Sequence, residues 1–211
     1  LGNNGSYLLE LLNADTANYR GNAKTNETAR YNYYKIDETS GDGNLGVIER
    51  FEPMPMVTYF ENQLIKAEAA ARTSSFADGL GHLNDYRAWL ASGGRINDTY
   101  NDSASILYEA YEAADFASDG MENPDGVSAD IALLREIIEE RYVSGFGTYM
   151  PFNDHRRLRG DGETNLIVPF PLNTTAASEH VERIPYAQDE LSSNSTIDED
   201  PGLYAETEVN Q

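Results

Sequence analysis

The feature that most constrains this chain is a change of hydrophobic period just after two prolines. Beyond Pro53 and Pro55, the residues Val57, Phe60, Leu64, Ala67 and Ala71 recur at alternating steps of three and four. That spacing places them on one face of an α-helix. Thr73-Ser74-Ser75 then supplies hydroxyls suited to a helix N-cap, and Phe76, Leu80, Leu83 and Leu90 resume a helical stripe until Gly93-Gly94, a pair that ends helices readily. Two helices joined by so short a connection form an antiparallel hairpin. The run Ala67-Glu68-Ala69-Ala70-Ala71 carries little bulk, so the partner helix can approach closely there, and Glu68 with Arg72 makes a favourable i,i+4 pair.

A third amphipathic segment is expected from about Ser103 to Phe116, on Leu107, Ala110, Tyr111 and Ala114, and a fourth from Ser128 to about Phe146, on Ile131, Leu134, Ile138 and Tyr142. From Pro151 onward Pro169, Pro171, Pro185 and Pro201 interrupt polar runs, which predicts an extended tail with sparse regular structure. Residues 1–53 are rich in Asn, Gly, Thr and Asp and read as loops with short elements. Within them Tyr31, Tyr33, Tyr34 and Ile36 favour a strand or hairpin, and Ser40-Gly41-Asp42-Gly43-Asn44 is turn chemistry. The expected organisation is therefore a loop-rich segment over 1–53 and a helical domain with an extended tail over 54–211, mainly α. Helix pairs on short turns resemble tetratricopeptide architecture, although a repeat of about 34 residues is not evident.

Charge removes several classes of function. The chain holds 36 acidic and 15 basic residues, a formal charge of −21, which repels nucleic-acid phosphates and anionic lipid headgroups. It has no cysteine, hence no disulfide framework and no thiolate metal site. No run approaches the 18 to 20 or so apolar residues of a membrane-spanning helix. His82, His155 and His180 show no short metal-ligand spacing, and no Gly-x-Ser-x-Gly elbow accompanies them. Asp37 to Asn44 is oxygen-rich, but Thr39 and Gly41 stand where an EF-hand loop needs ligands, so it reads as a solvated turn. No carboxylate pair is singled out for glycosidase chemistry. A binding protein without a cofactor, rather than an enzyme, is the expectation.

The aromatic content points to what could be bound. Fourteen Tyr stand against seven Phe and one Trp, and rings with a polar handle tolerate half-exposed positions. Tyr31, Tyr33, Tyr34 and Trp89 are the candidate ligand contacts, since aromatic faces stack on the apolar faces of sugar rings. The competing reading is a half-buried strand for the three tyrosines and core packing for Trp89. Glu140, Arg141, Asp154, Arg156 and Arg157 form a candidate structural charge network, in which planar guanidinium groups tie helix ends and carbonyls together.

Met54-Pro55-Met56-Val57-Thr58-Tyr59 with Lys66-Ala67-Glu68-Ala69 resembles the opening helix of SusD/RagB C-terminal domains. Further blocks follow in the family's order: Phe76-Ala77 through His82-Leu83-Asn84-Asp85-Tyr86-Arg87, Leu134 to Tyr142, Phe152-Asn153-Asp154-His155-Arg156-Arg157, and Arg183-Ile184-Pro185-Tyr186 through Leu191 with Asn194. The resemblance covers roughly Met54 to Asn194. It implies a SusD-like helical scaffold with long loops, belonging to a glycan-binding lipoprotein on the outer-membrane surface. Such a protein delivers oligosaccharide to a SusC-like TonB-dependent transporter and touches the membrane only through an N-terminal lipid, here expected outside the 211 residues along with the first helical half. Uptake of peptides, or a scaffold engaging only proteins, are the alternatives.

Overall fold

The computed structural model describes residues 6–35, 46–48, 56, 58–96, 100, 106–168, 180–197 and 199–207. The turn over Asp37 to Asn44, with Pro53, Pro55 and Val57, lies outside them. The described residues are mainly helical, with seven α-helices and one two-stranded pairing. The chain divides into two compact units, 1–150 and 151–211.

The first unit is built around the hairpin that the hydrophobic stripe requires. Helix α3 spans Tyr59–Thr73 and α4 spans Phe76–Ala91. Each begins on a hydroxyl cap: Thr58 Oγ1 accepts from the Glu61 N–H at 3.2 Å, and Ser75 Oγ from the Asp78 N–H at 3.1 Å. A cap of this kind satisfies one of the donors that a helix start leaves open. Gly93 and Gly94, both at positive φ, close α4 as expected. The low-bulk face of α3 is used as anticipated, for a Cβ added to Gly79 of α4 would sit 2.6 Å from the Ala71 Cβ. Glu68 and Arg72 pair at 2.8 Å.

Helix α5, Ala129–Ser144, packs on both members of the hairpin. The stripe through Ile131, Leu134, Ile138 and Tyr142 is only one of its buried sides. Leu133, Ile137 and Val143 are fully enclosed, so α5 is covered more widely than an amphipathic surface helix would be. Phe60, Leu64, Leu83, Leu90, Phe116, Leu133 and Ile137 form one core cluster.

A second cluster joins the N-terminal segment to this body. Helices α1 (Tyr7–Leu12) and α2 (Thr28–Tyr34) bury Leu8, Leu9, Leu11, Leu12, Ala29, Tyr33 and Tyr34 with Ile96 and Val143. The strand expected over Arg30 to Ile36 is thus corrected to a helix within its described part: Ala29, Arg30, Tyr33 and Tyr34 are buried together, a helical period that outweighs the β-preference of tyrosine. The strand in this region is β1 (Thr25–Asn26), paired antiparallel with β2 (Leu107–Tyr108). The helix expected over Ser103 to Phe116 is corrected as well. From 106 onward the chain gives β2 and a single 3-10 turn, Ala113–Phe116, because its backbone is bound from elsewhere: 107–108 pair with β1, the Glu109 N–H donates to the Lys24 carbonyl, and the Asn84 side chain holds both backbone groups of Tyr111. Residues 6–35 belong to the same compact unit as the hairpin, so the division falls after Met150 and not at the composition change near Pro53.

The second unit departs from the sparse structure expected after Pro151. Helix α6 runs Met150–Gly160. Pro151 stands in its first turn, where a missing N–H costs no helical hydrogen bond. A 3-10 turn, Thr164–Leu166, and the short helix α7, Gln188–Ser193, follow. No helix among the described residues is long and apolar enough to cross a membrane.

Candidate functional site

The four aromatic candidates separate into two groups. Tyr33 and Tyr34 are 1% and 3% exposed. Their rings lie 5.3 Å apart, Tyr33 meets Tyr100 at 5.8 Å, and Tyr34 meets Phe146 edge-on at 5.2 Å. Neither ring has a face to offer a ligand in this arrangement. Tyr31 is half-buried, with the Lys35 ammonium 5.6 Å from its ring centre.

Trp89 is different. It stands on the last turns of α4, half-buried, between Tyr86 at 5.4 Å and Tyr59 at 5.0 Å. Tyr59 is 50% exposed. Tyr59 flanks the core stripe of α3 without belonging to it, so periodicity alone does not single it out. Its signal was the reverse of the stripe, an aromatic residue placed next to Phe60 on the outer side. The hairpin brings the start of α3 beside the end of α4, so Tyr59 and Trp89, thirty positions apart in sequence, form one aromatic ledge at the surface.

The ledge is anchored from below. Tyr86 is 1% exposed, and its hydroxyl lies 2.7 Å from Ser144 Oγ. Ser144 Oγ donates its only proton to Glu140 Oε1 at 2.5 Å, so Tyr86 must be the donor to Ser144. Burial pushes the Tyr86 phenol well above its ordinary value, which keeps that proton in place.

Glu140 is the centre of the charge network, and its partners lie far away in sequence. Arg30 grips it with Nη1 at 2.6 Å and Nη2 at 3.0 Å, and Arg20 Nη1 adds a contact at 2.6 Å. Arg20 also donates to Glu27 at 2.9 Å, Glu136 at 2.8 Å and Glu139 at 2.7 Å. Arg30 closes the ring by donating to both oxygens of Glu27, at 2.7 and 2.6 Å, and the Tyr108 hydroxyl donates to Glu27 at 2.8 Å. Burial opposes ionisation of Glu140, but Arg30 and Arg20, with hydrogen bonds from Arg30 and Ser144, outweigh it and hold this carboxyl far below the usual carboxylate range. At Glu136 burial dominates, reinforced by Glu122 and Glu139, and carries the group well above the ordinary value despite Arg20.

The five charged residues expected to act together fall into the two units. In the first, Arg141 lies 3.7 Å from Glu68, which also pairs with Arg72. In the second, Asp154 accepts from Arg157 at 3.0 Å, and Arg156 donates to Thr207 Oγ1 at 2.7 Å. What the sequence did not show is Arg20, Glu27 and Arg30, whose roles arise only when the N-terminal segment folds against α5.

Among the described residues no group of three or more His, Asp or Glu is arranged to hold a metal ion. His155 and His180, which show no metal-ligand spacing in sequence, have ring centres 4.3 Å apart. No family model matches the chain, and neither a curated protein nor a solved structure matches it.

Proposed function

We propose that this chain is the C-terminal part of a SusD/RagB-like cell-surface lipoprotein that captures an oligosaccharide and passes it, unaltered, to a TonB-dependent transporter in the outer membrane. The observation that carries this reading is the Tyr59–Trp89 ledge: one half-exposed ring beside one half-buried ring, 5.0 Å apart, held on rigid helices. Aromatic faces so placed give a sugar ring an apolar surface at little entropic cost. A tetratricopeptide-like scaffold agrees with the α3–α4 hairpin and its two-residue connection, Ser74-Ser75. The order of the family-like sequence blocks supports the same reading, as does a net charge that disfavours nucleic acid and anionic lipid. Attachment to the outer membrane would come through a lipid outside these residues.

A second reading, peptide capture, draws on the charge of −21, since an acidic surface attracts basic peptides. Glycan and peptide arrays probed with the full chain separate the two. The account expects glycans to be retained, with retention reduced in Trp89→Ala and Tyr59→Ala, and no new reducing ends on prolonged incubation. Retention of basic peptides alone would transfer the function to the second reading, and steady release of reducing ends would make the protein a hydrolase.

A further inference from the structure

The second unit holds a cluster that neither the charge network nor the aromatic ledge uses. His155 of α6 and His180 contact each other ring to ring, centres 4.3 Å apart and planes inclined by 55°. Two residues beyond His180, the carboxylate of Glu182 is 5% exposed and faces two guanidinium groups of α6. Arg159 pairs with it directly, and Arg156 Nε lies 3.9 Å away. The same stretch is tied to the chain end, because the Glu182 N–H donates to the Leu203 carbonyl at 2.8 Å and Arg156 Nη2 donates to Thr207 Oγ1 at 2.7 Å. Segments 180–187 and 199–207 are therefore fastened to α6 at one place, by a histidine pair and a carboxylate between two arginines.

We infer that this fastening is an acid-sensitive latch, closed at neutral pH and released when His155 and His180 take up protons beside Arg156 and Arg159. The geometry sets the direction. Neutral imidazoles can pack ring against ring in this tilted arrangement, whereas two imidazolium ions at this separation repel one another and also the guanidinium groups already there. Asp154, which could offset the new charge, is already engaged by Arg157 at 3.0 Å. The histidine half of the fastening thus weakens as pH falls.

The titration of the rings is consistent with this. Burial, then His180 and Arg159, push His155 down to about 4, and burial, then Arg159, lower His180. The folded values lie below the ordinary histidine value of 6.5. The closed form is therefore favoured above that pH and loses ground progressively as pH falls toward the folded values.

The test is amide exchange of the full chain followed by NMR from pH 7 to pH 4, corrected for the intrinsic exchange rate. Protection of the Glu182 amide should fall at least tenfold across that range, while amides of α5 keep theirs. The double variant His155→Phe, His180→Phe should retain most of that protection at pH 4, because its rings stay neutral. Glu182→Gln should lower protection already at pH 7 and keep a pH step from the histidines. In the unsubstituted chain the ring proton shifts of His155 and His180 should titrate below pH 6.5, together with the loss of protection. Constant Glu182 protection from pH 7 to 4, an equal loss in the double variant, or opening at a pH where neither ring titrates would each overturn the latch.

Discussion

At the scale of single residues, the decisive interactions are those of Arg20 and Arg30 with four glutamates. Four carboxylates on two guanidinium groups carry surplus negative charge, and the two ends of that surplus behave oppositely. Glu140 receives both arginines, so Glu140→Gln breaks buried charge-assisted hydrogen bonds to both guanidinium groups and should cost about 3–5 kcal/mol. Glu136, pushed upward by burial, contributes little that a neutral amide cannot, and Glu136→Gln should change stability by less than about 1 kcal/mol. Urea unfolding of the two variants at pH 7 measures both. The pH dependence follows from the same shift. Because folding depresses Glu140, its contribution is present above the ordinary value of 4.5 and is lost as pH falls through the lower folded value. Glu140→Gln should therefore lose stability less steeply with acid than the parent chain. Glu140 itself was legible in the sequence as a structural charge. Arg20 and Arg30 were not, since they stand 120 and 110 positions away and only the folded chain brings them to it.

At the scale of elements, the helices that the hydrophobic period marks most clearly do form, and α3, α4 and α5 each begin on a Ser or Thr cap, of which the sequence reading anticipates the one before α4. The mistaken expectations share a physical cause. Tyr33 and Tyr34 were read by their intrinsic β-preference, yet their burial beside Ala29 and Arg30 decides for helix, as tertiary context regularly overrides propensity. In 103–116, alanines at helical spacing suggested a helix, but the backbone of residues 107–111 takes its partners from Lys24 to Asn26 and from Asn84 instead of from a helical turn. The close α3–α4 approach, anticipated from the run of alanines, gives a clean contrast between two glycines of α4. A side chain at Gly79 meets the Ala71 Cβ at 2.6 Å, whereas one at Gly81 meets nothing within 4 Å. Gly79→Leu should destabilise by at least about 1–3 kcal/mol through overpacking, and Gly81→Ala should stabilise by about 0.5–1 kcal/mol through helix propensity. Denaturant midpoints of the two variants check the pair.

At the scale of the molecule, the proposed reading makes the helices a rigid frame and gives recognition to the aromatic residues on its outer side. Half of the candidate site was visible beforehand. Trp89 stood out as the lone tryptophan, but its neighbour Tyr59 becomes part of the site only because the hairpin turns back on itself. The chain's large negative charge also makes a prediction about the kind of ligand. Binding of a neutral oligosaccharide should be nearly unchanged between about 0.01 and 0.15 M salt, while binding of a basic peptide should weaken strongly as the screening length shortens from about 30 to 8 Å. The most direct test of the central claim is calorimetric titration of the full chain with an oligosaccharide retained on the array, repeated with Trp89→Ala and Tyr59→Ala. Loss of a stacking face worth about 0.5–1.5 kcal/mol predicts affinity weakened by roughly two- to tenfold in each variant, with helical content unchanged. Unaltered affinity in both variants would contradict the account, because the sugar would then be bound somewhere other than the ledge.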